Sequence, residues 1–220
     1  DGLLSETLAD TLALCVGCKG CKRECPTGVD MARMKTEVLY QRNLRHGIGN
    51  RDRLIAYLPR YAATASRFGG ILNLRDKIPG LANLSEAALG LSAKRSLPTW
   101  HPRPYTDPTG AIGKGLNDRT VVLFTDTFSR WFEPDNARAA AEVLSAAGYR
   151  VIGPPKQNND ERPLCCGRTF LAAGLVDEAR AEARRTLKAL LPLASAGLAI
   201  VGLEPSCLLT LRDEFEALLP

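Results

Sequence analysis

Four cysteines fall within eleven positions, at Cys15, Cys18, Cys21 and Cys25, and a proline follows the last of them. Thiolates spaced Cys-x2-Cys-x2-Cys-x3-Cys-Pro wrap a [4Fe-4S] cluster in bacterial-type ferredoxin loops, where the fourth cysteine serves a second cluster in two-cluster proteins. A zinc site more often divides into two Cys-x-x-Cys pairs with a dozen or more residues between them, so the spacing favours iron–sulfur over zinc. Gly17 and Gly20 allow backbone N–H groups to approach the sulfides. Lys19, Lys22 and Arg23 would offset the negative charge of thiolates and cluster, although simple exposure explains these side chains equally well. A second cluster served by Cys25 needs three more cysteines in the same module, and the next one is Cys165. The missing motif is expected upstream of Asp1.

The remaining three cysteines, Cys165, Cys166 and Cys207, take their meaning from the elements around them. "TVVLFTD" (120–126), "YRVIG" (149–153) and "GLAIVGL" (197–203) read as buried strands. Between them lie helical patterns: "PDNARAAAEVLSAAG", opened by Pro134 and stopped by Gly148, and a stripe of Leu175, Ala179, Ala183 and Leu187. "LLTLRDEFEALL" forms the last helix. Alternating strands and helices imply crossover connections and a parallel sheet. The carboxyl ends of its strands would gather Asp126-Thr127, Cys165-Cys166-Gly167 and Glu204-Pro-Ser-Cys207 on one edge, where ligands usually sit. Helix N-termini near Cys207 and after Gly167 would lower the thiol pKa values and favour thiolate. The competing reading is that Cys165 and Cys166 are inert buried residues beside a turn glycine.

Upstream, Ser5 caps a helix carrying Leu8 and Leu12, and Asp30 caps a second one whose Met31, Met34 and Val38 share a face and which Gly47 ends. Two helices thus flank the sulfur loop. Residues 50–97 read as further helices broken at Pro59, at Gly69-Gly70 and at Pro79-Gly80. "LPTWHPRPYTDPTGAIGKG" is too rich in proline and glycine for either regular element and reads as a linker.

Composition bounds the answer further. A chain of 220 residues, 45% apolar and 24% charged, has room for one or two small domains with a real core. The odd count of seven cysteines and the tight Cys-x-x-Cys steps argue against an extracellular disulfide framework and for reduced, metal-binding thiols in the cytoplasm. No apolar run of about 18 residues occurs, so no transmembrane segment is expected. "DGLLSETLAD" lacks the marks of a secretion signal, and its want of an initiator methionine suggests a piece of something longer. The net charge is +5, and residues 15–60 carry ten Lys or Arg against four acids. Without interleaved aromatics this excess does not indicate nucleic acid. A solvated helix surface explains it first, and compensation of an anionic cofactor or docking to an acidic partner second.

"CVGCKGCKRECPTGVDMARMKTE" with "RPLCCGRTFLAAG" and "EPSCLLTLRDEF" resembles the C-terminal iron–sulfur part of bacterial FAD-linked oxidases of the D-2-hydroxyglutarate, D-lactate and glycolate dehydrogenase type. The latter two stretches resemble the cysteine-rich CCG domain shared with heterodisulfide reductase and glycolate oxidase iron–sulfur subunits. The resemblance spans residues 1–48 and about 119–220. It implies cluster ligation by Cys15, Cys18, Cys21 and Cys25, and a second iron–sulfur or a zinc centre at Cys165, Cys166 and Cys207. It also implies FAD in an upstream domain or subunit that oxidises a 2-hydroxy acid, with electrons leaving singly to a quinone or another carrier. The chain departs from the fuller pattern, which has a cysteine in place of Asp126-Thr127 and a Cys-x-x-Cys in place of Glu204-Pro-Ser-Cys207. Three thiolates with Asp126 or Glu204 could therefore hold zinc, a simpler iron–sulfur centre, or nothing.

The expected fold is α/β: a helical ferredoxin-like module over 1–48, a helical and Pro/Gly-rich connecting segment over 49–118, and a small three-layer parallel-sheet cysteine-rich domain over 119–220. The expected role is electron transfer within a cytoplasmic enzyme, or one lying peripherally at the inner membrane face. Two alternatives stay open: a scaffold docking the flavin domain with a structural metal, and a thiol–disulfide reductase using Cys165-Cys166.

Overall fold

The structure, a computed structural model, describes residues 4–108, 119–155 and 162–219. Helix α1 (Glu6–Ala13) starts where the Ser5 side chain accepts from the Leu8 N–H, and α3 (Met31–His46) where Asp30 accepts from Arg33 N–H, so both sequence-read caps form. The short α2 (Gly20–Glu24) lies between them inside the cysteine loop. Helices α4 (Asn50–Ala56), α5 (Leu58–Arg67), α6 (Gly69–Leu72) and α7 (Leu81–Leu89) follow. The break expected at Pro59 falls at Tyr57 instead, because proline, with no N–H to lose, fits the first turn of α5.

Strands β1 (Thr120–Phe124), β2 (Arg150–Ile152) and β3 (Ala199–Gly202) form a parallel sheet in the order β2-β1-β3. Val122 pairs with Ile152 on one side and Ile200 on the other. The β1 side chains alternate between two cores. Val121 and Leu123 pack with Ala137 and Ala141 of α9 (Pro134–Ala146), whereas Val122 and Phe124 pack with Ala189 and Leu190 of α11 (Val176–Ser195). Helices therefore cover both faces of a small sheet. The stripe expected on α11 holds at Ala179 and Ala183, both fully buried, but Leu187 is 38% exposed. Four-residue steps overshoot a 3.6-residue turn by about 40° each, so the buried line passes to Thr186 and Leu190.

A third core crosses the expected boundary of the connecting segment. Ala56 and Tyr57 pack with Phe170 and Leu171 of α10 (Arg168–Ala172), with Ala179 and Ala183, and with Phe215 and Leu218 of α13 (Phe215–Leu218). Tyr57 meets Phe170 edge to face at 5.2 Å. The expected linker is irregular over its described part, yet Tyr105 is buried and Asp107 takes both terminal contacts from one Arg130 nitrogen, at 2.7 and 2.9 Å. Its remainder, from residue 109, lies outside the described residues.

The N-terminal helices dock on the sheet domain at Gly174. Its φ is +71°, and a Cβ there would lie 2.5 Å from Leu39 Cβ, so only glycine fits both the turn and the approach of α3. Asn43 donates to Ala173 O at 2.7 Å and Tyr40 to Asp177 at 3.2 Å beside it.

Candidate metal centres: two cysteine sites

The loop between α1 and α3 turns through left-handed backbone at Gly17 (φ +70°) and Lys19 (φ +58°). Cys18 and Cys21 are exposed, and Cys15 and Cys25 are half-buried. Met31 N–H donates to Cys21 Sγ at 3.4 Å, and Lys35 Nζ holds Cys15 O at 2.7 Å. At Cys25 the Thr27 hydroxyl, 3.1 Å from the sulfur, and then the N–H groups of Val29, Thr27 and Gly28 pull the thiol pKa down to about 7. Donors aimed at a sulfur favour its charged form. Thiolate is the form that binds iron, so this donor set fits a thiolate-held cluster.

The lysines of the loop are not simply exposed. Lys19 bonds Asp213, and Glu214 at 2.6 Å, and Lys22 lies 3.0 Å from Asp213. Burial opposes the charge of Lys19, but its two carboxylate partners outweigh it and raise its pKa. Lys19 is thus engaged by acids from the far end of the chain.

The second group of cysteines lies at the carboxyl end of the sheet. Cys165 and Cys166 precede α10, and Cys207 sits in α12 (Pro205–Leu209), which follows β3. All three are buried, and Cys166 Sγ lies 3.0 Å from Cys207 Sγ. Gly167 N–H donates to the Cys165 sulfur at 3.4 Å, and Thr186 donates to its carbonyl at 2.8 Å. The expected lowering of these thiol pKa values does not occur at Cys165 and Cys166. A side-chain hydrogen bond with the Cys166 thiol and then burial push Cys165 well up. At Cys166 the hydrogen bond from Cys165 works downward, but the hydrogen bond to Cys207 and burial prevail and push it up. The adjoining helices α10 and α12 are five residues each and do not overcome these effects. Protonated, buried thiols are poor nucleophiles; soft sulfur donors still suit zinc or iron, provided that binding displaces their protons.

Asp126 and Glu204 act locally as helix caps. Asp126 Oδ1 accepts from the N–H groups of Phe128 and Ser129, at 2.8 and 3.0 Å, while its Oδ2 is buried without a hydrogen-bond partner among the described residues. Glu204 Oε1 accepts from Ser206 N–H at 3.1 Å and from its hydroxyl at 2.7 Å. Among the described residues, no three His, Cys, Asp or Glu side chains form a metal-binding group.

Sequence reasoning missed Glu182. It is 1% exposed and is held by Arg162 at 2.8 Å and Arg60 at 3.4 Å; a Cβ on Gly167 would touch it, and its charge helps to raise the Cys165 pKa. An acid inside an alanine stripe was the available signal. The part played by Asp213 and Glu214 left no local signal, because their partner Lys19 is remote in sequence.

The chain is similar over 98% of its length to a D-2-hydroxyglutarate dehydrogenase of Pantoea ananatis, at 22% identity, and over 96% to one of Pseudomonas putida, at 26%. It spans about a fifth of the length of these curated relatives. It also matches one of the subunits of the anaerobic glycerol-3-phosphate dehydrogenase of Escherichia coli, at 23% identity over 77% of this chain and 42% of the relative. No family model and no solved structure matches it. Among the described residues no helix is long and apolar enough to cross a membrane.

Proposed function

We propose that the chain is the electron-carrying iron–sulfur portion of an FAD-linked 2-hydroxy-acid dehydrogenase. Cys15, Cys18, Cys21 and Cys25 would hold a [4Fe-4S] cluster. Cys165, Cys166 and Cys207, with Asp126 Oδ2 or Glu204 as further donors, would hold a second iron–sulfur or a zinc centre. The observation that carries this reading is the Cys-x2-Cys-x2-Cys-x3-Cys-Pro run in a chain whose relatives are dehydrogenases along nearly its whole length.

When bound, a cluster supplies one-electron transfer, the chemistry needed to split the two-electron output of a flavin. The chain's own residues prepare for it. Thr27 and the following N–H groups stabilise the Cys25 thiolate, and the Met31 N–H supports Cys21. Phe124, Leu164 and Leu190 keep water from Cys166 and Cys207. FAD and the substrate belong to an upstream domain or subunit, and a quinone or another carrier takes the electrons. The enzyme works in the cytoplasm or peripherally at the inner membrane face.

Iron and acid-labile sulfide analysis of anaerobically purified protein tests the loop assignment. The wild type should carry both, and Cys18→Ala should lose the loop's share of them. Unchanged iron and sulfide in the variant would refute the ligand set.

A further inference from the structure

The cysteine loop is fastened to the strand-end site by a charge network, and compensation of a cluster does not account for it. Lys19 is the sole non-glycine residue with positive φ among the described residues, a conformation that side chains adopt at a cost. From there its ammonium reaches Asp213, Glu214 at 2.6 Å and Asp30 at 3.8 Å. Lys22 adds a contact to Asp213 at 3.0 Å, and Arg33 Nη2 donates to Asp213 O at 3.2 Å. Arg168 closes the network from the other side: its Nη2 donates to Gly17 O at 3.1 Å, and its Nη1 lies 3.6 Å from Glu214.

The positions of these partners give the network its meaning. Gly17, Lys19 and Lys22 interleave with Cys15, Cys18 and Cys21. Arg168 follows Cys166 by two residues. Asp213 and Glu214 lie in a π turn, Thr210–Glu214, that continues the helix of Cys207; such turns recur at functional sites. A Cβ on Gly17 would stand 3.0 Å from the Arg168 guanidinium, so the glycine leaves room for that contact. One hydrogen bond therefore connects the residue before Cys18 with the residue two beyond Cys166.

We infer that Arg168 and Lys19 are positioning residues that clamp the cysteine loop to the strand-end thiols and hold the two sulfur sites at one fixed separation. The functional value of the clamp rests on the proposed reading of the loop as a redox centre and of the strand-end thiols as a second metal centre. The clamp itself does not.

Hydrogen exchange on the anaerobically purified protein tests the clamp, using Arg168→Met, Asp213→Asn and the double variant. Each single change should speed exchange about tenfold in the loop and in residues 208–214 together, the loss expected for a hydrogen bond to a charged group. The double variant should exceed the stronger single change only slightly, because the contacts form one network. Exchange in β1 and α9 should stay at the wild-type rate. Arg168→Lys keeps the charge without the fork and should restore only part of the protection. A redox titration supplies a readout that a merely structural role would not move. Asp213→Asn leaves Lys19 less compensated beside the loop and should shift the midpoint potential of the iron–sulfur signal to more positive values, whereas Asp135→Asn, on the exposed face of α9, should not. Loop exchange at the wild-type rate, additive effects, or an unmoved potential would each overturn the proposal. If the wild type shows no iron–sulfur signal, the redox reading falls, and coupled exchange alone decides the clamp.

Discussion

The sulfur of Cys166 lies 3.0 Å from that of Cys207, although 41 positions separate them in sequence. Parallel strand order produces the meeting. Strand β3 runs beside β1, so the helix after β3 delivers Cys207 to the same edge as the Cys165-Cys166 turn. Cys207→Ser should lower bound metal, read by elemental analysis, while costing the domain no more than about 1–3 kcal/mol in urea unfolding. Metal content equal to the wild type would mean that Cys207 is a packing residue.

Cys25 offers a pH-dependent signature in metal-free protein. Its pKa lies at about 7, against an ordinary thiol value of 9.0. Alkylation of Cys25, followed by peptide mass spectrometry, should therefore rise through about pH 7. Thr27→Ala removes the leading cause of the shift, so the midpoint should move up toward that of an ordinary thiol. An unmoved midpoint would leave the hydroxyl without a role.

Asp213 makes the loop contact sensitive to acid. The Lys19 bond, against some burial and with help from Lys22, holds its carboxyl down at about 2, compared with 3.8 normally. A depressed carboxyl pKa stabilises the folded state fully above the unfolded value, and that contribution fades as pH falls through the folded value. Loop protection should thus be intact at about pH 5 and decline between about pH 4 and 2. In Asp213→Asn this decline should be absent, because the group that titrates is gone.

Much of this arrangement can be read from the sequence, and what cannot has a physical reason. The caps at Ser5 and Asp30, the proline start of α9 and the three strands depend on neighbouring residues, so local pattern reveals them. The convergence of Cys166 with Cys207 follows from topology. The raised thiol pKa values do not, because they depend on burial and on which sulfur touches which. That Asp126 and Glu204, read as metal donors, also cap helices is equally open to local reading, since a carboxylate at a strand end stands at the start of the next helix. Lys19 reads locally as a solvated or cluster-facing charge, and its partners Asp213 and Glu214 lie at the far end of the chain, beyond any local pattern.

Gly174 carries the docking of α3. Gly174→Ala should impose left-handed strain of about 1–3 kcal/mol and a clash with Leu39 in addition. Thermal unfolding should show the loss, and hydrogen exchange should place it along α3 and α10. A neutral substitution there would mean that the N-terminal helices dock elsewhere.

The central claim is that Cys15, Cys18, Cys21 and Cys25 form a redox centre, and electron paramagnetic resonance of the anaerobically reduced protein tests it most directly. A low-temperature iron–sulfur signal should be present in the wild type, retained in Cys207→Ser and lost when Cys18→Ala is added to Cys207→Ser. A reduced wild-type protein that contains iron and sulfide yet gives no signal, or a signal that survives in the double variant, would contradict the assignment.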